Sequence, residues 1–175
     1  MSDGLMGDVS IVMNAAKNEE RDQQYLLTEP IYSMTPIVFF ARKKSHLYPD
    51  PLNATDLQKL WACGQKGFTY NNFGFDNQRV QMISETLPHL FDLAVLERCE
   101  IGLAREEVYL YELQSYADAD KLDYRLLQNA PQEPFYWMIN RQLEFAKELK
   151  QLIDQEVSEL YRSGKAQEIL KKYFQ

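Results

Sequence analysis

The hydrophobic positions of this chain alternate between short apolar runs and amphipathic stretches of helical period. The runs at 9–13 and 37–41 are rich in valine, isoleucine and phenylalanine, which is typical of buried β-strands. Further extended segments are predicted at 25–28, 68–70, 101–104, 124–127 and 135–139. Because predicted strands alternate with predicted helices, the pattern favours an α/β architecture.

Helices are predicted where apolar residues recur every three or four positions. The longest carries an apolar stripe through Leu143, Ala146, Leu149, Ile153, Val157 and Leu160, and Ser163-Gly164 is expected to end it. Asn18 is expected to cap a helix. A capping box at 55–58 predicts a short helix that ends at Gly64. Other helices are predicted at 87–98 and 106–116, whereas 80–83 fits a strand or a helix equally.

Composition narrows the class of protein. The 175 residues are 45% hydrophobic and 26% charged, which is enough to build a sizeable core. The net charge of -7 and the lack of a basic stripe argue against nucleic acid as a partner. His46 and His89 are isolated, and no phosphate loop, nucleophile elbow or Cys/His pair is present. We therefore expect no enzyme site, no metal site and no cofactor.

The first eight residues and the two cysteines bear on the compartment. MSDGLMGD lacks the features of a secretory signal, and no apolar run is long enough to span a membrane. Cys63 and Cys99 are too few for a disulfide scaffold and lack metal-ligand spacing. They are able to pair, but we expect two buried thiols rather than a disulfide.

A polar corner follows the first predicted strand. It presents the backbone N–H groups of a helix start together with the Arg21 guanidinium. This combination suits a ligand carboxylate, because arginine offers a planar fork that matches two oxygens. On spacing alone the plainer interpretation is favoured, in which Arg21 is solvated or forms a surface ion pair with a neighbouring glutamate.

A resemblance to a known family favours the ligand-binding interpretation of Arg21 instead. Residues 8–13, the corner with Glu20-Arg21, and Thr28-Glu29-Pro30-Ile31-Tyr32 resemble the strand, the T-x-x-R turn and the F-S-x-P-Y run of the family 3 extracellular solute-binding proteins. The stretches 51–57 and 140–173 resemble the start of lobe 2 and the C-terminal end of that family. The resemblance implies an α/β fold of the periplasmic binding protein type II kind, with two lobes and a hinge. It assigns 1–38 and 138–175 to lobe 1, and 39–137 to lobe 2.

The resemblance also implies a function. The chain would be a solute-binding domain that captures a small carboxylate-bearing ligand, an amino acid or another organic anion, for ABC-type transport. A membrane permease would be its partner and the periplasm or the cell exterior its location, and it would not be an enzyme. The alternative is a sensory or interaction domain of the same fold, or a truncated form without ligand binding.

Ligand-binding residues follow from the same resemblance. Arg21 would hold the ligand carboxylate beside Asn14 and Ala16, and the turn-rich stretch of lobe 2 would contribute Phe73 and Gly74. Arg105 stands where amino-acid binders of the family have an acid.

The identity of the residue at that position decides the ligand class. A guanidinium at Arg105 would repel an ammonium group, which favours a ligand with a second anionic group or one without an amine. A shift of one residue would instead put Glu106 in the role of the acid. We favour the first alignment, because the short strand fixes the count.

Family members begin with two strand–helix units before the stretch that opens this chain. We therefore expect lobe 1 to be incomplete, with the strand at 9–13 short of sheet neighbours. Dimerisation or strand exchange is expected to cover the open edge, so that a homodimer forms through lobe 1. The predicted connection between Tyr70 and Val80 is also shorter than a parallel crossover normally needs.

Overall fold

The computed structural model describes residues 10–74 and 77–173. Among them, residues 10–33 and 134–173 form one compact unit, called unit 1, and residues 34–133 form a second, called unit 2. The chain thus leaves unit 1 after Ser33 and returns to it at Pro134. The corresponding boundaries expected from the sequence were 38/39 and 137/138.

Unit 1 is built on a four-stranded sheet. Its strands are β1 (Ile11–Ala16), β2 (Tyr25–Leu27), β3 (Tyr32–Met34) and β9 (Glu133–Asn140). β9 is the central strand, antiparallel to β1 on one side and to β2 on the other, and β3 also pairs with it. The helices of this unit are α1 (Glu19–Gln24), α5 (Ala146–Arg162) and α6 (Lys165–Tyr173).

The ends of these elements follow from local chemistry. The Asn18 carboxamide accepts a hydrogen bond from the Arg21 backbone N–H at 2.8 Å, so the predicted cap of α1 is confirmed. α5 gives way to α6 at Gly164, whose φ of +79° favours glycine. The register of β1 against β9 shifts between Val12 and Ala15, where Asn14 adopts a left-handed φ of 59°.

Unit 2 holds a five-stranded mixed sheet in the order β6-β5-β7-β4-β8. The strands are β4 (Pro36–Ala41), β5 (Ala62–Gln65), β6 (Val80–Ser84), β7 (Ile101–Arg105) and β8 (Leu122–Leu126). β5 is parallel to β6 and to β7, whereas β4 is antiparallel to β7 and to β8. The helices are α2 (Ala54–Leu57), α3 (Leu87–Val95) and α4 (Glu106–Leu113).

The two faces of this sheet are covered differently. β4 is buried along its whole length, and its side chains alternate between the faces. Ile37 and Phe39 pack with residues of α3 and α4. Val38 and Phe40 pack instead with Tyr48, Leu52, Leu57, Tyr70 and Phe73, which lie in loops, in the four-residue α2 and at a 3-10 turn. Short segments rather than long helices therefore cover the second face.

Two predicted elements of unit 2 are wrong. Residues 68–70 form no strand, and Gly64, expected to end a helix, lies in β5. The chain turns at Gly67, with φ +80°, and folds back so that the Tyr70 hydroxyl accepts from the Gln65 N–H at 2.8 Å. A Cβ on Gly64 would lie 2.5 Å from the Tyr70 ring, so this fold-back needs glycine there.

The cysteines form a disulfide. The expectation of two buried thiols is wrong, because Cys63 and Cys99 are bonded, with their Cα atoms 5.9 Å apart. Cys63 lies in β5 opposite Gly102 of the neighbouring strand β7, and Cys99 lies two residues before β7 begins. Parallel pairing of the two strands thus brings the sulfurs together, within the Cα range that disulfides allow.

Candidate functional site

A cavity of about 260 Å³ opens at the carboxyl ends of the three parallel strands of unit 2. Its lining includes Gln65 from the end of β5, Glu85 just after β6 and Arg105 from the end of β7. Phe68, Thr86, Leu87, Pro88, Ala104, Val108 and Glu112 complete it. The carboxyl ends of parallel strands are where open α/β sheets bind ligands. We call this space the strand-end cavity.

Arg105 is buried at this cavity and paired inside the protein. Its side chain is 4% exposed, and its Nε and Nη2 atoms both lie 2.6 Å from Oε2 of the equally buried Glu133. Nη2 also donates to the Thr69 carbonyl at 2.9 Å. The guanidinium lies 5.2–5.3 Å from the centres of the Phe68, Tyr70 and Phe73 rings, so three aromatic side chains stabilise the cation as well.

This pairing corrects the expectation of an uncompensated guanidinium. The carboxylate of Glu133 neutralises the charge of Arg105, so Arg105 gives no reason to exclude an ammonium group. The remaining charged residues that line the strand-end cavity are Glu85, which pairs with Lys66 at 2.7 Å, and Glu112. The premise for a second anionic group on the ligand is therefore removed.

Glu106 and Glu107 both form hydrogen bonds near the start of β4. The Glu106 N–H donates to the Thr35 carbonyl at 2.8 Å, and its carboxylate accepts from the Tyr124 hydroxyl at 2.9 Å. Burial, followed by this bond to Glu106, raises the pKa of Tyr124 to about 12. Glu107 accepts from the N–H and the hydroxyl of Thr35 at 3.0 and 3.1 Å. Glu106 is not among the residues that line the strand-end cavity.

The corner of unit 1 brings Arg21 and Ala16 together. The half-buried Arg21 guanidinium donates through Nη1 to the Ala16 carbonyl at 2.6 Å, and Ala16 itself is buried. Asn14 is exposed on the β-bulge two residues earlier. The backbone at the end of β1 thus orients the guanidinium that the sequence singled out.

Phe73 and Gly74 do not line the strand-end cavity. They lie at a second cavity of unit 2, of about 430 Å³, formed by 53–57, 71–74 and 127–131. Phe73 is buried, and its ring contacts the Arg105 guanidinium; Gly74 has a left-handed φ of +75°. These two predicted residues therefore line a different cavity from Arg105, although the Phe73 ring touches its guanidinium.

Sequence reasoning missed Glu133, Phe68 and the acids Glu85 and Glu112. Glu133 lies between a glutamine and a proline and has no spacing that relates it to Arg105, 28 residues earlier.

Within 10–74 and 77–173, no cluster of three potential metal ligands is found. In the same residues, no helix is long and apolar enough to cross a membrane.

Comparison with known proteins places the chain in a family. The family model for bacterial extracellular solute-binding proteins, family 3, matches residues 5–175. The chain belongs to this family. The resemblance noted in the sequence is thereby confirmed, as is the α/β fold with two sheets of the type II periplasmic binding proteins. Members of the family are extracellular or periplasmic solute-binding proteins.

Solved structures with this solute-binding fold cover nearly the whole chain. An amino acid ABC transporter substrate-binding protein, AbpA from Streptococcus pneumoniae, bound to L-arginine, aligns with a TM-score of 0.77 at 16% identity over 99% of this chain and 71% of that one. The GluR0 ligand-binding core in complex with L-glutamate gives 0.79 at 14% identity, over 99% and 76%.

A third structure has a link to catalysis. It is the ancestral amino-acid-binding protein AncCDT-1, described as a precursor of cyclohexadienyl dehydratase, with a TM-score of 0.68 at 15% identity, over 97% of this chain and 70% of that one. Comparison with curated protein sequences gives no match. At these identities the structural likeness establishes the fold alone.

Proposed function

We propose that this solute-binding domain binds an amino acid and that Arg21 holds the ligand carboxylate. The observation that carries the proposal is the hydrogen bond from Arg21 Nη1 to the Ala16 carbonyl, which fixes the guanidinium at the end of β1. A guanidinium oriented in this way matches the two oxygens of a carboxylate. Two of the structurally similar proteins are described in complex with L-arginine and with L-glutamate, which supports an amino acid as the ligand class.

The strand-end cavity supports an amino acid over a dicarboxylate. In its lining Glu112 favours an ammonium group, whereas Glu85 is paired with Lys66 and the charge of Arg105 is already balanced by Glu133. A second carboxylate placed there would be desolvated next to Glu112. In this proposal the chain delivers its ligand to a membrane permease of an ABC transporter and carries out no reaction itself.

Isothermal titration calorimetry with L-arginine, L-glutamate and succinate tests the ligand class and the role of Arg21. We expect one of the two amino acids to bind more tightly than succinate, and Arg21→Lys to weaken that binding by about tenfold to a hundredfold, because charge-assisted hydrogen bonds are lost. Arg162→Lys is the control, because Arg162 forms an exposed ion pair with Glu159 on α5. Tighter binding of succinate, or an unchanged affinity in Arg21→Lys, would overturn the proposal.

We also propose that two copies associate through unit 1. β1 pairs only with β9 among the described strands, and Met13 in β1 is 60% exposed. α5 contributes further exposed apolar side chains, including Leu152 and Leu160. An edge strand and exposed apolar side chains in the same unit favour association. Light scattering that gives the mass of one chain at every concentration would refute it.

A further inference from the structure

The second cavity of unit 2 is lined by Phe73 and Gly74 but by none of the described residues that line the strand-end cavity. Its volume of about 430 Å³ falls in the range of small-molecule sites, ~300–1,000 Å³. It is formed by 53–57, 71–74 and 127–131, all within unit 2. It lies on the sheet face covered by short segments, where the described part of the crossover between β5 and β6 contains loops and two 3-10 turns. The absence of a long helix in the described part of this crossover leaves room for the cavity.

Among the described residues, the polar lining of this cavity is uncharged. It consists of five carboxamides and a hydroxyl, from Asn53, Asn71, Asn72, Gln128, Asn129 and Thr55. None of the twelve described residues that line it is charged, although 26% of the residues in the chain are. A charged ligand would lose its hydration without meeting an opposite charge, and this disfavours ions of either sign.

The inner part of the lining is apolar. Leu57, Phe73 and Leu127 are buried in the core cluster of this sheet face and also line the cavity. Apolar walls with a few polar groups are typical of small-molecule sites. A suitable ligand therefore has an apolar face together with several hydrogen-bonding groups.

Backbone contacts hold the polar side chains in place. Asn53 caps α2 by accepting from the Asp56 N–H at 3.0 Å, and the Gln128 N–H donates to the Leu52 carbonyl at 2.7 Å. Asn129 adopts a left-handed φ of 62°, which turns the chain and places successive carboxamides at the rim. Within the described part of the chain, the carboxamides of Asn72, Gln128 and Asn129 have no hydrogen-bond partner. These groups are available to a ligand.

We propose that this cavity binds an uncharged, hydroxyl-rich molecule of the size of a mono- or disaccharide. Each carboxamide offers both a donor and an acceptor, and each sugar hydroxyl needs both. The C–H face of a sugar ring matches the apolar wall. This ligand class differs from the amino acid proposed above, and the described residues that line the two cavities do not overlap.

The test is a titration of the whole ¹⁵N-labelled chain with glucose and with maltose, followed by two-dimensional NMR. We expect saturable shifts at Asn72 and at 128–130. Gln128→Ala and Asn129→Gly should each raise the Kd about fivefold for the lost hydrogen bond. Glycine preserves the left-handed backbone at 129. The controls Gln155→Ala, an exposed glutamine on α5, and Arg21→Lys should leave the Kd unchanged.

Two further probes separate this ligand class from others. Glucuronate tests the exclusion of charge, and N-acetylglycinamide tests whether an amide ligand is preferred to a hydroxyl-rich one. Absence of saturable shifts with both sugars would overturn the proposal. So would tighter binding of either further probe, or a Kd that neither Gln128→Ala nor Asn129→Gly changes. Because Arg21→Lys tests only the amino-acid site, failure of one proposal leaves the other standing.

Discussion

Arg105 and Glu133 form a buried ion pair in unit 2. Nη2 of Arg105 lies 2.6 Å from Oε2 of Glu133, and both side chains are almost fully buried. Removing one member of such a pair leaves an uncompensated buried charge, which typically costs ~3–5 kcal/mol. We expect Glu133→Gln to lower the free energy of unfolding by about 3 kcal/mol in urea denaturation, because the three rings around Arg105 stabilise part of the cation. Glu159→Gln, which breaks an exposed pair with Arg162, should leave the midpoint unchanged. Equal midpoints for the two variants would contradict the prediction.

Tyr124 gives a second test at the same scale. Its pKa is raised from 10 to about 12, first by burial and then by the bond to Glu106. Because the folded state keeps the proton that the unfolded state loses above pH 10, this contribution to stability is complete below pH 10 and is lost between pH 10 and 12. We expect Tyr124→Phe to reduce the loss of stability over that interval, as measured by denaturation at several pH values. The same slope in both proteins would show that Tyr124 titrates normally.

Two residues that the sequence singled out make contacts with near neighbours. Asn18 caps the backbone N–H of Arg21, three residues later in the chain. The Arg21 side chain donates to the carbonyl of Ala16, five residues earlier. The environment of Arg105 was missed because its partner Glu133 and its aromatic contacts come from distant parts of the chain. The charge of a side chain can be read from the sequence, but whether that charge is compensated depends on tertiary contacts.

Among the elements, the disulfide between β5 and the loop before β7 makes the sharpest prediction. It closes a loop of 36 residues in unit 2. Closing such a loop typically contributes about 2–4 kcal/mol, largely by restricting the unfolded chain. We expect Cys63→Ser with Cys99→Ser to lower the free energy of unfolding by that amount. Non-reducing mass spectrometry of the parent chain should give a mass two hydrogens below the reduced form, and a reduced mass would contradict the bond.

Elements with strong periodicity were predicted well. The stripe through α5 and the buried run of β4 each have one dominant pattern, and both elements are confirmed. β5 was missed because its four residues include a glycine and show no alternation. The segment 68–70 has a strand-like composition, but the contact of Tyr70 with Gly64 and Gln65 folds it back. Tertiary contact overrides local preference in such short segments.

At the scale of the whole molecule, the ends of unit 2 meet. Pro36 pairs with Arg105 in the ladder between β4 and β7, and Arg105 binds Glu133, the last residue of the unit. A segment whose ends meet and whose sheet has its own cores on both faces should fold alone. We expect residues 34–133 expressed by themselves to melt cooperatively with the disulfide formed. The same fragment with Glu133→Gln should melt at a lower temperature, and a fragment without a cooperative transition would contradict the prediction.

The meeting of these ends also has a consequence for the order of folding. β9 pairs with β1 and β2, so the sheet of unit 1 joins residues more than a hundred positions apart. The entropy of closing so long a loop slows a chain that must pair these strands directly. Once unit 2 has folded, Ser33 and Pro134 are held near each other. The loop that must then close before β9 pairs with β1 and β2 is short. In pulsed hydrogen exchange during refolding, we expect the amides of β4 and β7 to be protected before those of β1 and β9.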